Sequence, residues 1–294
     1  MKGNDKYSTG QLLNFARDSY FERTSRPVYA IAFLLPFIVF YELGTIFINT
    51  DVLNQSQVRV VAFVWLQNFL EYLGFGSRLA WMMPPLTVVI ILAALQVASR
   101  KRWNFGIGDM WPMAIECVLL AVPLIVLSLF LNTSVVPEAD VGWFDKNLAP
   151  GLNTAAGLSA TVGGGPGAAG SGSLLANIVT GIGAGIYEEL VFRLILICLL
   201  MLLFQDVLRL SRKNSIILAV VISAALFSVH HHIVYLDGRF GQSGPFSWME
   251  FCFRAVAGVY FAVLFSIRGF GVTAGTHAFY DIIATVINSV FFQQ

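Results

Sequence analysis

The chain has 294 residues, of which 57% are apolar and 12% charged, with a mean hydropathy of +0.73 and a formal net charge of +1. Such a composition excludes an ordinary soluble domain. The near-neutral balance, with no dense basic patch carrying interleaved aromatics, also gives no reason to invoke nucleic acid as a partner.

Apolar runs long enough to cross a hydrocarbon layer, which takes about 20 helical residues, recur along the chain. Lipid cannot satisfy exposed strand edges, and no alternating barrel pattern is present. The predicted fold is all-α: a polytopic transmembrane helical bundle of about seven spans, or eight if a weaker segment crosses, with interfacial helices. Four regions follow: an N-terminal tail at 1–27, N-terminal transmembrane helices at 28–131, a Gly-rich external loop at 132–173 and a transmembrane core at 174–294.

The tail carries Lys2, Lys6, Arg17, Arg23 and Arg26 without an apolar core, so it does not read as a cleavable secretory signal. Leu12, Phe15, Ala16 and Tyr20 recur at helical spacing, which suits a short helix on the membrane surface; a solvated tail is the competing reading. Spans are predicted at Val28–Ile48, Leu79–Ala98, Trp111–Leu131, Leu174–Phe204, Ser215–Ile233, Trp248–Ile267 and Val272–Phe291. Gln67, Asn68 and Glu71 interrupt Val60–Phe75, which favours an interfacial helix there. Cys117, Cys198 and Cys252 are odd in number and fall in apolar spans, so packing is their default role.

The longest connection contains Gly151–Ser173, rich in Gly, Ala and Ser. Little apolar surface opposes its backbone entropy, so it reads as mobile, either a gate or a plain external linker. Placing alternate loops on opposite sides gathers the basic N-terminus, Arg100-Lys101-Arg102, Arg209/Arg212/Lys213 and Arg268 on one side. By the positive-inside rule that side is cytoplasmic, which predicts a multi-pass cell-membrane protein with a cytoplasmic N-terminus and an external C-terminus.

Ionisable side chains inside such spans are costly to bury and mark function. Glu188, Glu189 and Arg193 all lie within Leu174–Phe204. Glu189 and Arg193, four positions apart, share a helix face and can pair. Glu188 points about 100° away, on the face of Gly181, Ala184 and Gly185, a small-residue groove that leaves room for water or substrate. Gly181-x-x-x-Gly185 reads primarily as a close helix-packing site and lacks the features of a nucleotide loop.

His230-His231-His232 ends the fifth span, and consecutive helical residues diverge, so one of the three is expected to face the bundle and two to be wetted. His277 and Asp281 share a face of the last span, where the acid can orient the ring. A Glu/Arg pair alone is explained by helix registry, and a His/Asp pair alone as a buried hydrogen-bonded pair. Together, on three spans, they form an inventory for activating water and stabilising an oxyanion.

At these residues the chain resembles the CPBP family of intramembrane proteases, related to type II CAAX prenyl endopeptidases and of Abi type. Glu188-Glu189-Leu190-Val191-Phe192-Arg193 matches EExxxR, Phe227-Ser228-Val229-His230-His231 matches FxxxH and selects His231, and His277-Ala278-Phe279-Tyr280-Asp281 matches HxxxN/D. The likeness covers about 177–288. It implies an intramembrane endopeptidase in which Glu188 and His231 activate the attacking water. Arg193 would organise the glutamates, Glu189 included, and His277 with Asp281 would stabilise the oxyanion. Where the family often has Asn, this chain has Asp281, which when ionised accepts hydrogen bonds and donates none, so it would either orient His277 or remain protonated.

The expected partners are a membrane-embedded or lipid-modified protein or peptide substrate and the lipid bilayer. No cofactor is predicted. In a metal-dependent variant, Glu188, His231, His277 and Asp281 would be the ligands of a divalent ion, although no HExxH spacing is present. A proton-coupled transporter and a silent membrane scaffold are the competing functions, the former weakened by the lack of an inverted repeat. One tension is also visible: simple span counting places His277 nearer the cytoplasmic side than Glu188 and His231.

Overall fold

The structure, a computed structural model, describes residues 15–16, 18–48, 60–135, 171–236, 239–242 and 246–291. In chain order these form α1 (Tyr20–Thr24), α2 (Pro27–Ile48), α3 (Val61–Tyr72), α4 (Ser77–Ser99), a 3₁₀ turn at Ile107–Asp109 and α5 (Met110–Val135). Then come α6 (Ser171–Glu189), a π-helical segment (Leu190–Leu196), α7 (Ile197–Leu202) and a second π-helical segment (Leu203–Val207). The remainder is α8 (Arg212–His230), a short hairpin of β1 (Ile233–Leu236) and β2 (Arg239–Gln242), α9 (Trp248–Arg268) and α10 (Phe270–Phe291). Serine side chains set three of the starts: Ser19, Ser211 and Ser247 each accept from the backbone N–H three residues on.

Seven helices among the described residues are long and apolar enough to cross a membrane. They coincide with the seven predicted spans, and the all-α bundle stands apart from one small feature. The antiparallel hairpin, pairing Ile233 with Gln242 and Leu236 with Arg239, lies in the connection between α8 and α9. Its strands follow directly on the C-terminal end of α8.

The outer faces of the spans carry exposed apolar side chains, such as Leu35, Val39 and Phe40 on α2 and Ile115 and Leu119 on α5. This is the surface lipid requires. The core instead draws α2 to α6 and α10 together, and small residues let the backbones approach. A Cβ on Gly185 would lie 2.5 Å from the Ala278 backbone nitrogen, and one on Gly181 would lie 2.8 Å from the Asp281 Cβ. Gly183 faces the other way, against the ring of Tyr41. The packing role of Gly181 and Gly185 therefore holds, whereas the open groove beside Glu188 does not exist: α10 fills it.

α3 has twelve residues, about 18 Å of helix, too short to span. It buries Ala62, Phe63, Leu66 and Leu70, and the Phe63 ring contacts both Tyr41 and Tyr187. The segment 151–173, read as a gate or a plain linker, lies outside the described residues except for 171–173, which begin α6. Cys117 is buried and Cys198 and Cys252 are exposed.

Residues 18–26 are tied into the bundle; of the expected surface helix, Leu12 lies outside the described residues, and Phe15 and Ala16 precede α1. Arg268, buried at the end of α9, donates to Glu116 of α5, to the Phe21 carbonyl and to the hydroxyls of Thr24 and Ser25. Tyr20 donates to the same Glu116 (2.8 Å). A second knot joins Arg26, Glu22 and Lys101, and a third joins Arg23 and Tyr29 to Asp109. Burial alone would raise the Glu22 carboxyl, but hydrogen bonds from Arg26 and Lys101 more than offset it and hold it below the ordinary glutamate range.

Gly269 alone connects α9 to α10. Its φ of 78° falls where glycine is favoured, and a Cβ there would lie 3.2 Å from the Ser25 carbonyl oxygen. The α9–α10 turn is thus covered by the N-terminal segment and α5.

Candidate active site

Glu188 and Glu189 stand where regular α-helix gives way to the π-helical segment Leu190–Leu196. Such widened turns occur often at functional sites, because they redirect side chains and alter the i→i−4 ladder. Here Ser223 of α8 donates to the Phe192 carbonyl at 2.7 Å and fastens the segment to its neighbour.

The two carboxylates address different helices, as their angular separation requires. Glu189 Oε2 lies 3.1 Å from Arg193 Nε, with both side chains fully buried. Its geometry is that of an ion pair rather than an aligned hydrogen bond. The other oxygen, Oε1, is 2.8 Å from His277 Nδ1. A carboxylate only accepts, so Nδ1 carries the proton in this contact. Arg193 also reaches the Gly258 carbonyl (3.4 Å) and lies over the Phe227 ring, 4.1 Å from its centroid. The His277 ring stacks on Phe261 at 4.5 Å, with an interplanar angle of 18°. Glu189 is therefore the hub of a buried Arg193–Glu189–His277 chain.

Glu188 turns instead toward the end of α8. Its Oε2 is 3.7 Å from His231 Nε2 and its Oε1 is 3.7 Å from His230 Nε2. These separations exceed a direct hydrogen bond. Among the described residues Glu188 Oε2 has no direct hydrogen-bond donor, an unusual condition for a buried carboxylate oxygen. His231 Nδ1 is 2.8 Å from the Phe227 carbonyl, which fixes the proton on Nδ1 in the neutral ring and leaves the Nε2 lone pair toward Glu188.

The expectation that one of three histidines turns inward is corrected to two. α8 ends at His230, and His231 and His232 follow in a tightened turn, with N–H groups bonded to Ser228 and Val229. Glu188 sits in the wedge between two diverging imidazoles. His232 leaves the site and lies against Phe246 and Phe251. The expectation that two of the three are wetted also fails, since His230 and His232 are both buried.

Asp281 stands 3.6 Å from His277 Nε2, four residues along α10, and its Cβ packs on Gly181. Against the simple span count, His277 is level with Glu189, as their 2.8 Å contact shows. The four residues Glu188, His231, His277 and Asp281 are divided between two clusters, one facing α8 and one α10. Among the described residues, no three His, Cys, Asp or Glu side chains form a group able to hold a metal ion.

Several members of this site carry no sequence signal of their own. Phe261 and Gly258 of α9 belong to no motif, and Trp65 of α3 reaches the His230 ring (4.6 Å) from a segment read as interfacial. Phe227 is the exception. It opens the FxxxH element and supplies both the carbonyl that sets the His231 tautomer and the ring beneath Arg193.

A family model described as Type II CAAX prenyl endopeptidase Rce1-like matches residues 170–283, the stretch that carries all three motifs and both clusters. No curated protein and no solved structure gives a significant match. Residues 170–283 are thus similar to the family that the motifs resemble, the type II CAAX prenyl endopeptidases, which are peptide hydrolases.

Proposed function

We propose that the chain hydrolyses a peptide bond of a membrane-associated or lipid-modified substrate with water activated by Glu188 and His231. The observation that carries this reading is the pair of acceptors, Glu188 Oε2 and His231 Nε2, 3.7 Å apart. One water placed off the line between them is within hydrogen-bond reach of both and can donate a proton to each. On attack at the scissile carbonyl carbon the water loses a proton to Glu188, and the C–O bond forms as the carbonyl π pair moves to oxygen. His277, in its imidazolium form, donates from Nδ1 to Glu189 and from Nε2 to that oxyanion, with Asp281 beside it as counter-charge. Collapse of the tetrahedral species breaks the C–N bond, and the leaving amine takes the proton from Glu188.

Arg193 acts one step removed. It holds Glu189, and Glu189 accepts from the His277 Nδ1–H and fixes the orientation of the ring. The end of the bundle that gathers α1, Lys101 and the α9–α10 turn is assigned to the cytoplasmic side, in keeping with its Lys and Arg content.

Comparison of membrane-peptide profiles from cells with wild-type protein and with Glu188→Ala tests the reading. A product present only with wild type identifies the substrate and cleavage site. Glu188→Ala and His231→Ala are each expected to lower cleavage by about 10²- to 10⁴-fold while leaving a folded protein. Normal cleavage by both variants overturns the assignment. Chelator treatment of purified protein is expected to leave the rate unchanged; inhibition reversed by a divalent ion would replace the metal-free mechanism.

A further inference from the structure

The FxxxH element selects one histidine, yet the structure presents a second to the same carboxylate. His230 Nε2 is 3.7 Å from Glu188 Oε1, the oxygen that His231 does not face. The His230 side chain is 3% exposed and that of His231 is 18% exposed, so the two imidazoles occupy unlike surroundings. The His230 ring is held between Trp65 of α3 (4.6 Å) and Phe192 of the π-helical segment (5.3 Å). Among the described residues its buried Nδ1 has no hydrogen-bond partner. No backbone carbonyl therefore commits this ring to a tautomer, in contrast to His231, whose Nδ1 is tied to Phe227.

We propose that His230 is a positioning residue for the hydrolysis: its Nε2–H, 3.7 Å from Glu188 Oε1, closes to a hydrogen bond on that oxygen when water and substrate bind, so that Oε2 is aimed at the water shared with His231. An ionised carboxylate with two flexible torsions beyond Cβ needs a donor on one oxygen if the other is to stay in place. The donor must also be rigid. Trp65 and Phe192 supply that rigidity by fixing the His230 ring plane, and the link makes α3, outside the three motifs, a structural support of the chemistry. The division of labour is asymmetric: His230 holds one oxygen from the buried side, and His231 works with the other on the more exposed side. This inference rests on the reading of Glu188 as general base.

The test compares His230→Gln and His230→Phe, using a quenched peptide that spans the cleavage site found by the wild-type versus Glu188→Ala comparison. Phe keeps an aromatic ring between Trp65 and Phe192 but has no donor; Gln lacks the ring and places an amide N–H where Nε2 lies. A positioning role predicts that His230→Phe lowers kcat by about 10- to 100-fold, equivalent to one hydrogen bond to a charged group. KM should stay within about twofold. His230→Gln should recover most of that loss, and both variants should melt within a few degrees of wild type. The reverse order, with Phe active and Gln impaired, shows that His230 only fills space and overturns the proposal. Equal losses for both variants overturn it too, because the amide should rescue a missing donor. If Glu188→Ala and His231→Ala retain normal cleavage, the general-base reading falls first. If those two are inactive and His230→Phe is fully active, only the role of His230 is lost.

Discussion

Replacing Glu189 with Gln removes one negative charge and almost no volume from the centre of the bundle. Glu189 and Arg193 are fully buried and 3.1 Å apart, so neither water nor salt screens their attraction. Breaking a buried pair by neutralising one member costs about 3–5 kcal/mol, because the other charge stays uncompensated. Arg193 would keep the Gly258 carbonyl at 3.4 Å and the Phe227 ring at 4.1 Å. A desolvated cation–π contact contributes about 2 kcal/mol, and it is already present in the wild type, so it does not offset the loss. The Arg193→Met variant strands the opposite charge and should cost a similar amount. The double variant Glu189→Gln/Arg193→Met strands neither, and its cost should fall below the sum of the single costs by about 2–3 kcal/mol. Equilibrium unfolding in one detergent, run on all four proteins, measures this coupling. Single-variant costs below about 1 kcal/mol, or strictly additive losses, would refute the placement of this pair as a buried hub.

Three further outcomes are expected. Gly185→Ala should destabilise the protein by about 1–3 kcal/mol, because its Cβ meets the α10 backbone, whereas Gly76→Ala, with nothing within 4 Å, should change little; thermal melts of both check this. Glu22→Gln should lower stability at neutral pH. Its carboxyl is held below the ordinary range, so the wild-type advantage is fully present above about pH 4.3 and fades as pH falls through the depressed value, as melts over an acid series would record. Arg268→Met should loosen the N-terminal segment, which Arg268 holds through the Phe21 carbonyl and the hydroxyls of Thr24 and Ser25, and limited proteolysis reads this as faster cleavage near 19–26 at unchanged protease concentration.

The pairing of Glu189 with Arg193 is legible in the sequence, because a four-residue separation brings side chains together by helical geometry alone. The divergence of Glu188 is legible for the same reason, but its surroundings are not. Gly181 and Gly185 read equally as a packing seam and as an open groove, and only the position of Ala278 and Asp281 decides that α10 closes it. An ideal helix sends neighbours about 100° apart, so helical geometry leaves no place for His230 beside His231. The helix in fact ends there, and a carboxylate from another span enters the wedge between two rings. The π-helical segment, the Trp65 contact and the stacking of Phe261 on His277 leave no periodic trace in the sequence.

Apolar run length and the fixed geometry of hydrogen-bonded helix, both local properties, suffice to establish the membrane class, the seven apolar spans and the residues within a span that share a face. Which faces meet is decided by packing in three dimensions: Glu189 with His277 rather than Glu188, two histidines rather than one at Glu188, and His277 at the depth of the glutamates. The α9–α10 turn lies against the N-terminal segment, with Arg268 buried beneath it. Contacts between segments more than two hundred residues apart are fixed by close packing and by the need to partner buried charge, and neither has a period to read along the chain.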